Sequence, residues 1–239
     1  MIEAVLRALV FDFNGVLVND EPIHLKMMQR ALAQEGIELS KGEYYERLLG
    51  LDDRACFAAL LAGAGERPEP ARIMRLVARK AAFYQEAIHR DGYPFFPGAC
   101  DLVRDAAGAG MTLALVSGAL REEVEQALRQ ENLRPLFKAV ITAEDVAEGK
   151  PDPEGYRRAL NELNSQPPLP ERLFHPHEVL AIEDTPAGLR AARGAGFTTL
   201  GVAQTFTGQE LTEADFTVAG LVGLDSQTLR QRFVEVSRS

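Results

Sequence analysis

Four places in this chain of 239 residues set a chemistry-bearing side chain at or just beyond the end of an apolar run, or ahead of a helix. In Ala8-Leu9-Val10-Phe11-Asp12-Phe13-Asn14-Gly15-Val16-Leu17, a stretch of strand length stops at a carboxylate and a glycine turn. The pattern predicts a buried parallel strand with Asp12 at its C-terminal tip, the edge where open α/β sheets take their ligands. Met111 to Val116 runs into Ser117-Gly118, where a hydroxyl and free backbone N–H groups at a helix start can hold phosphate oxygens. Glu183-Asp184 follows the apolar Val179 to Ile182, and hard Mg²⁺ is a cation suited to such oxygen ligands. Lys150 stands in Gly149-Lys150-Pro151-Asp152-Pro153, ahead of a helix. Each also has a plainer reading: Asp12 as a turn residue, Ser117 as an N-cap, Asp184 as a cap beside a solvated Glu183, Lys150 as a solvated lysine.

The elements that must carry these groups can be read in order. After the first strand, Asp20 is placed as an N-cap with Pro22 in the first turn of a helix running to Gly36. Helices follow over Lys41 to Leu49, Asp52 to Ala62 and Ala71 to His89, so that residues 19–92 form an all-helical block. From Gly92-Tyr93-Pro94-Phe95-Phe96-Pro97-Gly98 onward, strands and helices alternate, the mark of a parallel sheet. Strands are expected at 111–116, 139–142, 179–182, 198–202 and 216–218. Helices are expected at 120–130, up to Leu163, at 187–193 and at 222–236, with a proline-rich connection over 164–177 that gives no clear reading. The expected fold class is therefore α/β, a doubly wound parallel sheet over 1–18 and 93–239 interrupted by a helical insertion over 19–92. An insertion placed directly after the first strand suits a lid, with hinges near Gly15 to Asp20 and Gly92 to Gly98.

Hydrophobic and charged fractions of 46% and 26% are ordinary for a globular chain, and the length leaves ample room for a core. A formal net charge of -9 argues against nucleic acid and anionic membranes as partners, so any phosphate site must be a local basic spot. Two cysteines, Cys56 and Cys100, indicate neither a disulfide framework nor a metal site. With no secretory signal visible at Met1-Ile2-Glu3-Ala4 and no bilayer-length apolar run, a reducing cytoplasmic location is expected. Oligomeric state is not readable.

Asp12-Phe13-Asn14-Gly15-Val16, Ser117-Gly118, Lys150 and Glu183-Asp184 fall in the order of the four motifs of the haloacid dehalogenase-like superfamily, which the chain resembles over nearly its whole length. Asn19-Asp20-Glu21-Pro22-Ile23-His24 and Ile182-Glu183-Asp184-Thr185-Pro186-Ala187-Gly188 resemble its branch of β-phosphoglucomutase, phosphoglycolate phosphatase and sugar-phosphate phosphatases. The resemblance implies a Rossmann-like core with a helical cap and an Mg²⁺-dependent phosphatase acting on a small phosphorylated metabolite such as a sugar phosphate. Asp12 would be the nucleophile that becomes an aspartyl phosphate; Ser117, Gly118 and Lys150 would hold the phosphate. Asp12, Asp184 and the Asn14 carbonyl would hold the metal, with Glu183 beside it or reaching it through water. Substrate choice would lie with His24, Gly50 and Arg54. The cap segment Leu48-Leu49-Gly50-Leu51-Asp52-Asp53-Arg54 matches the mutase poorly, with Leu49 and Asp53 where a lysine and an arginine are expected, so a phosphosugar mutase is the alternative. A dehalogenase, which needs no metal, leaves the acidic pair without a use.

Asn14 is the departure from the pattern. The resemblance assigns to this position the proton donor for the leaving alkoxide, later the activator of water. An amide can do neither, and loss of general acid–base help costs about 10² to 10⁴ in rate. Three readings stay open: a phosphatase whose substrate needs no proton or that uses Asp20, Glu21 or His24 instead; a turnover-impaired protein that binds a phosphorylated ligand; or an engineered replacement of aspartate.

Overall fold

The computed structural model describes residues 5–49, 51, 53–65 and 67–238. The chain divides into two units, Met1–Asn19 with Tyr93–Ser239, and Asp20–Gly92.

In the first unit, β1 (Ala8–Phe11), β2 (Thr112–Val116), β3 (Phe137–Ile141), β4 (Val179–Glu183), β5 (Thr198–Val202) and β6 (Phe216–Val218) form one sheet in the order β3-β2-β1-β4-β5-β6. All neighbours pair in parallel. Strands buried on both faces need near-continuous apolar sequence, and β1 and β4 are buried along their whole length, whereas the edge strand β6 is not. The register pairs Phe11 with Leu115 on one side and with Ile182 on the other, and Asp12 N–H continues the ladder to the Ile182 carbonyl at 2.9 Å. Asp12 and Glu183 therefore come level at the point where the strand order reverses, the crevice position of doubly wound sheets.

The first unit's α-helices are α5 (Ala99–Gly108), α6 (Arg121–Gln130), α7 (Glu154–Ser165), α8 (Pro186–Gly194) and α9 (Ser226–Ser237). Tyr156, Ala159 and Leu163 of α7 and Ala191 and Ala192 of α8 pack on Val10, Ala114, Ile141 and Ala181, closing one face of the sheet. Helix α5 lies on β2 and α9 on α5. The sequence reading leaves α5 unassigned, although Ala99, Leu102, Val103 and Ala106 are buried at helical spacing. Its cap is Gly98, left-handed at φ 84°, where a Cβ would stand 2.5 Å from the Leu221 carbonyl oxygen, so the start carries none of the usual Ser, Thr, Asp or Asn signals. The closing helix begins at Ser226 rather than 222, because the Asp225 side chain accepts from Thr228 N at 2.7 Å. The proline-rich connection is tied down by Asn164, whose amide donates to Phe174 O at 3.0 Å and accepts from Phe174 N at 2.7 Å.

The second unit is α1 (Glu21–Ala33), α2 (Lys41–Glu43), α3 (Asp53–Gly63) and α4 (Pro70–Asp91) around Leu25, Met28, Phe57, Leu61 and Leu76. The helix expected over 41–49 is only one α turn; Tyr44–Leu48 continue it with π-helical bonding. Asp20 occupies the N-cap position of α1 but its carboxylate does not cap; it accepts from Tyr84 Oη at 2.7 Å. Asp52, the expected start of the helix over 52–62, lies outside the described residues, and α3 is described from Asp53. No described helix is long and apolar enough to cross a membrane.

Candidate active site

The side chains read from the strand ends meet. Asp12 follows β1, Glu183 closes β4 and Asp184 follows it; they are 6%, 0% and 2% exposed. One carboxylate oxygen from each lies within 4.8 Å of the others, a grouping able to hold a metal ion. Lys150, on the loop before α7, donates to Asp12 Oδ1, to Glu183 Oε1 at 2.6 Å and to the Val116 carbonyl at 3.2 Å. The remaining bonds to Glu183 come from Tyr156 Oη to Oε1 at 2.6 Å, and from Asp184 N and Thr185 Oγ1 to Oε2 at 3.2 and 3.3 Å. Glu183 is thus an anchor for Lys150 as much as a candidate ligand.

Three carboxylates face one ammonium in a buried space, an arrangement that stands only if protons or a cation offset the excess. Burial pushes the Asp12 carboxyl up to about 7, with Lys150 pulling the other way and Glu183 adding to the rise. Asp184 is pushed well above the usual carboxylate range by burial, then by Asp12 and Glu183. Burial alone would lower the Lys150 ammonium, but Asp12 and Glu183 hold it above its ordinary value. Asp184 Oδ1 is buried with no hydrogen-bond partner. An orphaned carboxylate oxygen facing two other carboxylates is suited to a hard divalent cation, so the residues present fit one.

The plainer readings can now be set against the geometry. The cap of α8 is Thr185, whose Oγ1 accepts from Gly188 N at 3.0 Å, so Asp184 is not used there. Ser117 Oγ accepts from Ala119 N at 2.9 Å while α6 starts only at Arg121, and a hydroxyl that accepts still has its proton to donate. Gly118 is exposed beside it. Asn14 sits half-buried in the turn after β1, bridged through its backbone to Val18. Next to it, Gly15 has φ 82°, and a Cβ there would fall 1.8 Å from Asp184 Oδ2. Glycine is required at this position both for its backbone and for the approach of the carboxylate.

His24 and Arg54 belong to the second unit. His24 Nε2 faces Asp20 Oδ2 at 3.2 Å, its Nδ1 faces Lys80 Nζ at 2.5 Å, and its ring stacks on Tyr84 at 4.5 Å. Lys80, 3% exposed, is held by both Asp53 oxygens at 2.9 Å. Glu21 accepts from Tyr44 Oη, and Arg54 is exposed in the first turn of α3. Gly50 lies outside the described residues. Sequence reasoning missed Tyr156, Gln204 and Thr205. A tyrosine on the inner stripe of an amphipathic helix reads as core, and a Gln-Thr pair in a loop gives no signal.

Fold and site together define a doubly wound α/β protein with a lysine-bridged acidic cluster at the carboxyl ends of its central strands. Residues 6–196 match the model of the haloacid dehalogenase-like hydrolases, and the chain belongs to that family. Among its relatives, protein CbbY of Rhodobacter capsulatus is 29% identical, covering 94% of this chain and 97% of its own. The validoxylamine A 7'-phosphate phosphatase of Streptomyces hygroscopicus subsp. limoneus is also 29% identical, over 87% of this chain and 91% of its own. Of solved structures, an Asp-to-Asn mutant of CbbY from Rhodobacter sphaeroides in complex with xylulose-(1,5)bisphosphate is similar at a TM-score of 0.74 and 28% identity, covering 92% of this chain and 96% of that one.

Proposed function

We propose that this hydrolase is an Mg²⁺-dependent phosphatase acting on a small phosphorylated sugar, with Asp12 as nucleophile. The observation that carries this reading is the buried set of Asp12, Glu183 and Asp184 bridged by Lys150. Relatives named for a sugar-like phosphate and a relative complexed with a sugar bisphosphate support the substrate class. Asp12, Asp184 and the Asn14 carbonyl would hold the metal, with Glu183 reaching it through water. When bound, Mg²⁺ supplies positive charge against the approaching anions and so makes attack on a phosphate possible.

The chain's own residues then divide the work. Asp12 carboxylate oxygen forms the new bond to phosphorus as the bond to the sugar oxygen breaks, leaving an aspartyl phosphate and an alkoxide. Lys150, fixed against Asp12, neutralises charge on the transferring group, while the Ser117 hydroxyl and Gly118 N–H bind its outer oxygens. Water then cleaves the aspartyl phosphate, releasing inorganic phosphate and restoring Asp12. Asn14 neither protonates the alkoxide nor activates that water, so both protons are exchanged with water or with a substitute acid, and turnover is slow for poor leaving groups. Residues 19–92 serve as the cap that selects substrate, with His24, Gly50 and Arg54 as its recognition residues.

The test is phosphate release from sugar phosphates, acyl phosphates and an aryl phosphate, with Mg²⁺ or a chelator, by the native chain and Asn14→Asp. The expected outcome is metal-dependent release from the good leaving groups by the native chain, and a gain of about 10² to 10⁴ on sugar phosphates for Asn14→Asp. Release that survives chelation would remove the metal role. Asn14 also favours a second reading, a protein that binds a phosphorylated sugar without turning it over. Ligand-induced stabilisation with no release by either protein would select it.

A further inference from the structure

The loop that follows β5 reaches both turns on which the proposed metal position depends. Gln204 Nε2 donates to the carbonyl oxygens of Gly15 at 2.7 Å and Val16 at 3.3 Å. These carbonyls belong to the turn after β1, whose own bonds run from Leu17 N and Val18 N to Phe13 O at 2.8 and 3.0 Å. The neighbouring Thr205 turns its hydroxyl to the same spot from the side of β4: the point where a Cβ of Gly15 would stand is 1.8 Å from Asp184 Oδ2 and 2.8 Å from Thr205 Oγ1. The Thr205 hydroxyl thus stands beside the Asp184 carboxylate, as a donor placed to reach it. Of the two Asp184 oxygens it is Oδ2 that shares this spot with Thr205 Oγ1, while Oδ1 is buried with no partner.

We propose that Gln204 and Thr205 are positioning residues for the cation: Thr205 ties down Asp184 Oδ2 so that Oδ1 is presented as a ligand, and Gln204 clamps the Gly15 turn that carries Asn14. A carboxylate free to rotate offers either oxygen and pays rotational entropy on binding; one held by a hydroxyl on one oxygen offers the other in fixed direction. Two adjacent residues on a single loop thereby couple the end of β1 to the end of β4. The sheet alone does not provide this link, since the ladder between the strands ends at Asp12 N–H. The inference rests on the proposed metal site and deepens it.

Direct cation binding tests it, read by Mn²⁺ electron paramagnetic resonance titration and Mg²⁺ calorimetry on the full chain, with melting temperature in chelator as the control for folding. Thr205→Val keeps the shape and removes the hydroxyl; Thr205→Ser keeps the hydroxyl. The expected result is cation affinity about 10-fold or more weaker for Thr205→Val and within about twofold of native for Thr205→Ser, with similar melting temperatures in chelator. Gln204→Leu should weaken the affinity in the same direction. Native-like binding by Thr205→Val overturns the inference while leaving the metal site standing. Native protein that binds neither cation overturns both, which separates the two failures. Should Thr205→Val not fold, Thr205→Ala and Thr205→Ser make the same comparison.

Discussion

Tyr156 and Lys150 share one acceptor, Glu183 Oε1, at 2.6 Å each. The carboxylate holds the lysine by charge, and the phenol holds the carboxylate by a neutral hydrogen bond in a buried site. Burial and the Glu183 charge push the Tyr156 hydroxyl well above its ordinary value, so it remains a donor. Tyr156→Phe keeps the ring on Phe197, which it meets edge-on at 5.8 Å, and removes only that donor. The expected loss of stability is about 1 kcal/mol, with phosphate release slowed roughly tenfold through kcat rather than KM, because the lysine then has a looser anchor. Steady-state kinetics beside a denaturant titration measure both, and an unchanged kcat would mean that Lys150 is held in place without the Tyr156 bond to Glu183. Asp12→Asn is a sharper case at the same scale. It leaves hydrogen bonding to Lys150 possible but takes away the attacking oxygen, so phosphate release should fall below detection while the fold persists.

The site exists because elements place strand ends side by side, and those elements were unevenly legible. Apolar runs marked β1, β2 and β4 because strands buried on both faces tolerate nothing else. That is why Asp12, Ser117, Glu183 and Asp184 could be singled out as groups at strand ends. Helix α5 was missed although its stripe was present, since a glycine cap carries less signal than a side-chain oxygen. The π-helical turn at Tyr44–Leu48 has no signature in residue type or spacing. Tyr156, Gln204 and Thr205 were invisible for another reason: each faces a group more than 20 positions away in the chain, and a single sequence does not reveal pairing at that range. Gly188 is an intermediate case, read as part of a helix start but not as a contact. It lets α8 lie against the end of β4, where an added Cβ would fall 2.0 Å from Glu183 Cδ. Gly188→Ala should therefore displace Glu183 and destabilise the core by about 1–3 kcal/mol, with a larger loss of phosphate release than Tyr156→Phe. Urea unfolding and the same kinetic assay decide it, and a variant as stable and active as native would show that α8 can shift without cost.

At the scale of the whole molecule, each unit keeps its own buried cluster and its own ionic ties, so acid should act on identifiable places rather than uniformly. In the second unit, Glu35 accepts from Arg72 Nε at 2.6 Å and lies 3.4 Å from Arg79 Nη1, while Arg79 also donates to Ala31 O at 3.3 Å. These contacts join the end of α1 to α4. The hydrogen bond from Arg72, ahead of its charge and that of Arg79, holds the Glu35 carboxyl below its ordinary 4.5. A carboxyl lowered on folding contributes stability that is complete above the unfolded pKa and is lost as pH falls through the folded value. Glu35 should therefore support the fold fully at pH 7 and progressively less below 4.5. Glu35→Gln removes the titration but keeps the side chain's size. Its melting temperature should lie below native at pH 7 and approach native as the pH falls under that value, the two curves converging. Melting followed by circular dichroism across this range decides the point. Parallel curves with no convergence would place the acid response elsewhere, with Glu178 next in line, since its carboxylate is held below its ordinary range by His175 N–H, Arg172 and Arg7 against the opposing effect of burial.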